Sequence, residues 1–100
     1  MTPTRKFDAA NYLTDEETVA AYLEEIIETG EPHLIADALG AVARARGMSN
    51  LAKESGLSRE NLYRTLSAKG NPELGTFLRI MKAMNMRISV EPVHHDSRPT

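Results

Sequence analysis

Residues 48–66 read MSNLAKESGLSRENLYRTL, and this segment determines how the rest of the chain must be arranged. Ser49 and Ser58 each stand at the start of a helical pattern, where a serine hydroxyl accepts a hydrogen bond from an otherwise unpaired first-turn N–H. Gly56 lies between the two patterns, where a sharp turn needs the left-handed backbone that glycine adopts without steric cost. The segment therefore predicts two short helices joined by a tight turn.

The apolar positions of this segment predict how the two helices pack. They form a seam of four leucines, Leu51, Leu57, Leu62 and Leu66. The outward positions of the second helix are polar: Glu60, Asn61, Tyr63, Arg64 and Ser67. A helix pair whose second member has a polar outer face is typical of the helix-turn-helix motif, in which that second helix enters the major groove of DNA.

Length and composition restrict the class of protein. A chain of 100 residues with 41% hydrophobic side chains corresponds to one small globular domain. It has no cysteine, which excludes disulfide bonds and thiolate metal sites and fits a reducing cytoplasm. Its apolar runs are far shorter than the roughly 18 residues that cross a membrane. Since no apolar stretch follows Arg5 and Lys6, we expect a cytoplasmic protein without a secretion signal or membrane association.

The distribution of charge is strongly asymmetric. Residues 1–43 contain two basic and nine acidic side chains and carry a net charge of −7, whereas residues 44–87 contain nine basic and three acidic side chains and carry +6. The remaining residues contribute −1, so the whole chain carries −2. The basic part is the one that contains the predicted helix-turn-helix, which favours a nucleic-acid partner.

An acidic helix is predicted over residues 15–29, started by a capping box of Thr14 and Glu17. Its apolar stripe, at helical spacing, consists of Val19, Tyr22, Leu23, Ile26 and Ile27. Glu24, Glu25 and Glu28 lie off the stripe. Two interpretations remain open: a solvated face of a core helix, or an acidic surface for a basic protein partner.

The remaining segments complete an all-α, five-helix domain with one short C-terminal β-strand. Pro32 suits the first turn of a helix that ends at Gly47. A further helix is predicted from Pro72 to about residue 84, with Leu74, Phe77, Leu78 and Met81 buried. Residues 86–91 alternate between apolar and polar side chains, which predicts a half-buried strand. We divide the chain into an N-terminal arm (1–13), a single domain (14–91) and a disordered tail (92–100).

The sequence contains no recognisable reactive site. It shows no nucleophile–base pair, glycine-rich phosphate loop or paired carboxylates in a predicted cleft. His94 and His95 are adjacent in the tail, and the sequence places no further metal ligand near them. We therefore expect a protein that is not an enzyme and has no metal ion or cofactor.

Recognition helices present their N-terminal residues to the bases, here Ser58, Arg59, Glu60 and Asn61. By residue type, Asn61 suits adenine, Arg59 or Arg64 suits guanine or phosphate, and Glu60 accepts from cytosine. For Tyr63 the sequence leaves core packing and DNA-backbone contact equally open. Phosphate contacts are predicted for Ser49, Asn50, Lys53 and Lys69.

A monomer of this size reads too few base pairs to find one site in a genome. We therefore expect a homodimer on a palindromic double-stranded operator, with the strand at residues 87–91 contributing to the dimer contact.

A family resemblance adds to this interpretation. Residues 43–90, ARARGMSNLAKESGLSRENLYRTLSAKGNPELGTFLRIMKAMNMRISV, resemble the probable addiction module antidotes, relatives of the HigA-type antitoxins in the Xre/Cro-like class. The match is carried by LAKESGLSRENLYRTLS, the GNP turn and the closing RISV, and with the acidic region upstream it covers residues 6–91. Thr65 departs from the Cro-like pattern, where a bulkier apolar residue is usual.

The resemblance implies a type II antitoxin. Such a protein neutralises a small RelE/HigB-like toxin, a ribosome-dependent messenger-RNA endonuclease, and represses the shared operon. A toxin that binds RNA must be basic, so we expect the acidic region to contact it, through Tyr22, Glu24, Glu25 and Glu28. Two rival interpretations remain: a stand-alone Xre/Cro-like repressor without a toxin, and a protein-interaction module that has lost its affinity for DNA.

Overall fold

A computed structural model of the chain describes residues 15–93, and the predicted arm (1–13) and most of the predicted tail lie outside them. Within this range the chain forms five helices and no strand. They are α1 (Glu16–Ile27), α2 (Pro32–Arg46), α3 (Met48–Ser55), α4 (Arg59–Thr65) and α5 (Leu74–Ala83). Helix α2 packs against α1, α3 and α4, and α3 also packs against α4 and α5. The described part of the chain is therefore a small all-α domain.

Helix α1 begins at a different cap from the one predicted. Asp15 is the N-cap residue, and its carboxylate accepts hydrogen bonds from the backbone N–H of Thr18 at 2.9 Å and from the Thr18 hydroxyl at 2.8 Å. The hydroxyl and the N–H of Thr18 hold the pKa of Asp15 below its usual range. The predicted partner Thr14 lies outside the described residues.

Gly47 both ends α2 and begins α3, which corrects the prediction that Ser49 caps α3. Its φ of +106° turns the chain sharply; its N–H donates to the Ala43 carbonyl, and its own carbonyl accepts from Leu51. Because the next helix starts at once with Met48, Ser49 falls inside the first turn of α3, and its hydroxyl accepts no capping hydrogen bond. Pro32 occupies the first turn of α2, as predicted.

The turn between α3 and α4 follows the predicted chemistry. Gly56 adopts the left-handed conformation with φ +77°, and the Ser58 hydroxyl accepts from the Asn61 N–H at 3.0 Å. A long-range contact adds to this: Arg79 on α5 donates from Nε to the Ser55 carbonyl at 3.2 Å, at the C-terminal end of α3. Helix α5 thereby holds the turn in place.

Two glycines let the end of α4 approach its neighbours closely. A Cβ atom added to Gly40 on α2 would stand 2.3 Å from the carbonyl oxygen of Leu66, and one added to Gly70 would overlap the carbonyl of Thr65. Both obstacles are backbone atoms, which a side-chain rotation cannot remove. Any residue larger than glycine at position 40 or 70 would therefore displace the C-terminal end of α4.

The core lies between α1, α2 and the three shorter helices. Its largest fully buried side chains are Val19, Leu39, Val42, Leu62, Leu66, Ile80 and Met84. Met48, Met81 and Met84 are 6%, 5% and 2% exposed, so methionine forms much of the core around α3 and α5.

The predicted start and buried face of α5 need correction. The helix begins at Leu74, two residues after Pro72, with Glu73 as its N-cap residue. Leu74 and Leu78, predicted to be buried, are 71% and 45% exposed. Met81 is buried, as predicted, and Phe77 is partly buried against the core, whereas Ile80, which was not predicted, is fully buried. The position of α5 against α3 fixes this rotation of the helix.

The predicted strand at residues 86–91 does not form. Asn85 takes a left-handed φ of +63°, and the Met86 N–H donates back to the Met81 carbonyl at 2.9 Å, which closes α5 in the manner of a glycine cap. Residues 86–93 continue without regular structure, and Val90 is 92% exposed. A lone strand has no partner for its backbone groups, so alternation alone does not make one.

Candidate nucleic-acid and partner-protein surfaces

Helices α3 and α4, with the loop after them, place every residue predicted to contact DNA at the surface. Nine of these ten side chains are exposed and Asn61 is half-buried. On α3 they are Ser49, Asn50 and Lys53. On α4 and beside it they are Ser58, Arg59, Glu60, Asn61, Tyr63, Arg64 and Lys69.

The position of Tyr63 favours one of its two interpretations. Its side chain is 47% exposed, and the guanidinium carbon of Arg59 lies 5.9 Å from the centre of its ring. This distance is within the range of a cation–π contact, in which the positive charge faces the electron-rich ring. Tyr63 is therefore a surface residue whose ring contacts the Arg59 side chain, and it is not part of the core.

Asn61 is held by two side chains of its own helix. Its Oδ1 accepts from the Thr65 hydroxyl at 2.9 Å and from Nη2 of Arg64 at 3.2 Å. Thr65, the residue that departs from the Cro-like pattern, therefore makes a polar contact where an apolar side chain would add packing. The spacing of four residues between Asn61 and Thr65 is the signal in the sequence that indicates such a contact.

A shallow concavity of about 380 Å³ adjoins the end of α4. Arg64 and Lys69 contribute its positive charge. Asn61 and Thr65 also line it, together with Asn71, Pro72, Glu73 and Thr76, which no sequence pattern indicated as site residues. The two cations and the amide and hydroxyl groups suit an anion such as a phosphate, whereas the carboxylate of Glu73 opposes one.

His33 ties the loop after α4 to the N-terminal turn of α2. Its Nδ1 lies 2.8 Å from the carbonyl oxygen of Gly70. A carbonyl oxygen only accepts, so Nδ1 carries the proton and donates. This contact fixes the base of the loop that carries Lys69, and it joins residues too far apart in the sequence for a local pattern to indicate.

A second surface lies between the second half of α1 and the C-terminal residues. It is a groove of about 920 Å³. One wall consists of Ala21, Glu24, Glu25, Ile27 and Glu28, and the other of residues 89–93. Tyr22 is half-buried and packs against the core, so it lies beside this groove and does not line it.

The groove combines negative charge with apolar surface. Among residues 15–93, its lining contains four carboxylates, those of Glu24, Glu25, Glu28 and Glu91, and no basic residue. Val90 and Val93 offer exposed apolar side chains in the same wall as Glu91. The helical spacing in the sequence predicted that Glu24, Glu25 and Glu28 share a surface. The opposite wall comes from a distant segment, which the sequence predicted to be a strand and a tail.

Glu24, Glu25 and Glu28 stand at the C-terminal end of α1, where negative charge is unfavourable. The last turn of α1 contains no basic residue, and the acidic side chains there face the negative end of the helix dipole. Glu16 and Glu17, in the first turn, have the favourable arrangement. Helix stability alone therefore does not account for the acidic residues at the C-terminal end of α1.

A metal site and a membrane-spanning helix each have structural requirements that can be checked in residues 15–93. This range contains no group of three or more His, Cys, Asp or Glu side chains placed to hold a metal ion. Nor do any of its helices have the length and hydrophobicity needed to cross a membrane.

The fold and the two surfaces define a small all-α protein whose exposed charged side chains suit the binding of other macromolecules. Over residues 3–92 the chain matches the family described as "Probable addiction module antidote protein". A protein of Haemophilus influenzae, itself described as uncharacterized, is 46% identical over 87 residues, which cover 87% of this chain and 90% of the relative. No solved structure matches the chain.

This chain therefore belongs to the family of probable addiction module antidote proteins. Membership confirms the resemblance at the level of that family. An antidote acts against a toxin, so the family implies a toxin partner in general.

Proposed function

We propose that this chain is the antitoxin of a type II toxin–antitoxin module. It neutralises a RelE/HigB-like messenger-RNA endonuclease through the acidic groove, and it represses its own operon as a HigA-like, Xre/Cro-type helix-turn-helix protein in the cytoplasm. The observation that carries the proposal is the acidic end of α1 in a member of an antidote family.

Toxin capture by the groove is supported by its chemistry. An endonuclease that binds messenger RNA presents positive charge to the phosphates, and the four carboxylates that line the described part of the groove complement that charge. The exposed valines of the opposite wall add apolar surface that a partner can bury. The unfavourable position of the α1 glutamates has a physical reason if a basic partner neutralises them.

Operator binding is supported by a different set of residues. The sharp turn at Gly56 and the cap at Ser58 give α3 and α4 the order of a helix-turn-helix. The polar face of α4 is exposed, and the part of the chain around it carries the positive charge. As part of the proposal, the chain acts as a homodimer, with residues 87–91 contributing to the dimer contact.

The test is toxin capture by a charge-reversed variant. Glu24→Lys, Glu25→Lys and Glu28→Lys, combined in one chain, remove the negative charge of α1 from the groove. Like charges at an interface oppose binding by several kcal/mol, so we expect affinity for the toxin from the adjacent gene to fall by about 100-fold or more. Lysine suits the C-terminal end of a helix, so α1 should stay folded.

The matched control reverses three exposed acids outside the groove lining, Glu31, Asp37 and Glu54. It changes the net charge equally, so it should retain most of the affinity if the groove is the binding site. Calorimetry gives both affinities, and rescue of growth during toxin expression gives the function. Equal affinities of the two variants would contradict the proposed groove. If the adjacent gene product neither binds nor arrests growth, while the chain still shifts its own promoter DNA, the protein is a stand-alone repressor.

A further inference from the structure

The two hydrogen bonds on Asn61 determine which of its atoms faces outward. A guanidinium group has donors and no acceptor, so the amide atom that faces Arg64 must be the oxygen. The Thr65 hydroxyl lies 2.9 Å from the same oxygen and donates to it. The orientation of the amide is therefore set by chemistry: Oδ1 faces α4, and the Nδ2 amine is the group left to bind elsewhere.

These bonds also fill the acceptor capacity of Asn61. A carbonyl oxygen has two lone pairs, and here Arg64 and Thr65 each engage one. An asparagine that reads adenine in the major groove needs both an amine for N7 and an oxygen for the N6 amino group. Asn61 has only the amine available.

We infer that Thr65 is a specificity-determining residue, because its hydroxyl turns Asn61 from a reader of adenine into a donor-only side chain that selects guanine. Guanine presents two acceptors, O6 and N7, at its major-groove edge, and a two-proton amine complements both. The residue type of Asn61 alone indicates adenine, whereas its contacts indicate guanine. This inference rests on the proposed binding of operator DNA.

Three variants separate the contributions. Thr65→Val keeps the shape of the side chain and removes its hydroxyl, which frees one lone pair of Asn61. Thr65→Ser keeps the hydroxyl and is the matched control. Asn61→Asp keeps an acceptor for Arg64 and Thr65 but removes the outward amine.

Each protein is incubated with a randomised DNA duplex library, and the bound fraction is sequenced. The base pair that faces residue 61 is the one whose preference changes in Asn61→Asp. At that position we expect guanine for the unmodified chain and for Thr65→Ser. For Thr65→Val, affinity for adenine relative to guanine should rise about fivefold, as one additional hydrogen bond allows. Asn61→Asp should lose the preference for guanine.

Adenine preferred by the unmodified chain at that position would overturn the inference, and so would identical profiles of Thr65→Val and Thr65→Ser. If Thr65→Val does not fold, as judged by its helical circular dichroism, the profiles of the unmodified chain and Asn61→Asp decide. A chain that selects no DNA sequence at all refutes operator binding itself, and this inference with it. Selection of a site with adenine there refutes the inference alone.

Discussion

Replacing Gly40 by alanine tests whether the backbone at the end of α4 lies as close to α2 as the structure shows. In a helix interior, alanine is favoured over glycine by about 1 kcal/mol, so without an obstacle the substitution would stabilise the protein. At Gly40 the added methyl group meets the Leu66 carbonyl oxygen at 2.3 Å. The two effects on stability oppose each other, and the close contact determines whether the substitution stabilises or destabilises the protein.

The size of the effect follows from that distance. A carbon and a carbonyl oxygen approach to about 3.3 Å at closest, so the end of α4 must move by about 1 Å. Overpacking of this kind costs about 1–3 kcal/mol in a folded core. After the gain in helix propensity, we expect a net loss of about 1–2 kcal/mol, which lowers the melting temperature by roughly 4–16 °C for a domain of this size.

Thermal unfolding followed by circular dichroism measures this loss, and Gly75→Ala is the control. Gly75 lies in α5, and a Cβ atom there would meet nothing within 4 Å. The control gains helix propensity without a contact, so it should melt at or above the temperature of the unmodified chain. A Gly40→Ala protein that melts with the control would refute the close approach of α2 and α4.

Two further predictions concern the proposed DNA complex. Lys69→Ala should weaken binding to all sequences alike and reduce the slope of log K against log salt by about 0.9, the share of one phosphate contact. Anisotropy titrations at several salt concentrations measure the slope, and an unchanged slope would place Lys69 away from the phosphates. For the homodimer, sedimentation at micromolar concentration should give twice the mass of one chain. A monomer that persists after addition of operator would count against pairing through residues 87–91.

Local chemistry predicted the beginnings and ends of several helices. Residues at helix ends act within one turn of the backbone groups that they cap, so their residue type is enough to place the boundary. These residues are Pro32, Gly47, Gly56 and Ser58. Where two nearby residues can both begin a helix, the predicted start is wrong by a residue or two. Gly47 begins α3 ahead of Ser49, because its φ permits a second helix without an intervening loop.

Tertiary packing determined what local patterns left open. The apolar positions of α5 allow two adjacent faces to be buried, and contact with α3 selects the face of Ile80 and leaves Leu74 in solvent. The alternation at residues 86–91 is a property of a strand, but a strand also needs a neighbour, which this segment does not have in the described part of the chain.

The candidate surfaces also combine features that local sequence predicts with features that only tertiary packing determines. The outward positions of α4 follow from their spacing: Glu60, Tyr63 and Arg64 are exposed, and Asn61 is half-buried. The atom that Asn61 presents depends on two hydrogen bonds, which residue types do not specify. The acidic groove needs residues 89–93 beside α1, a proximity that arises from the path of the chain after α5.

Oxidation of the core methionines can report how often the core opens. Without cysteine, the thioethers are the side chains that mild peroxide oxidises first. Met48, Met81 and Met84 are at most 6% exposed, so an oxidant reaches them when α3 and α5 separate. A sulfoxide is polar and does not fit the apolar site that the methionine side chain occupied, so each oxidation makes closing of the core less favourable. The rate at which these three residues gain oxygen, read by mass spectrometry, therefore reports how often the core opens and how far a bound partner keeps it shut.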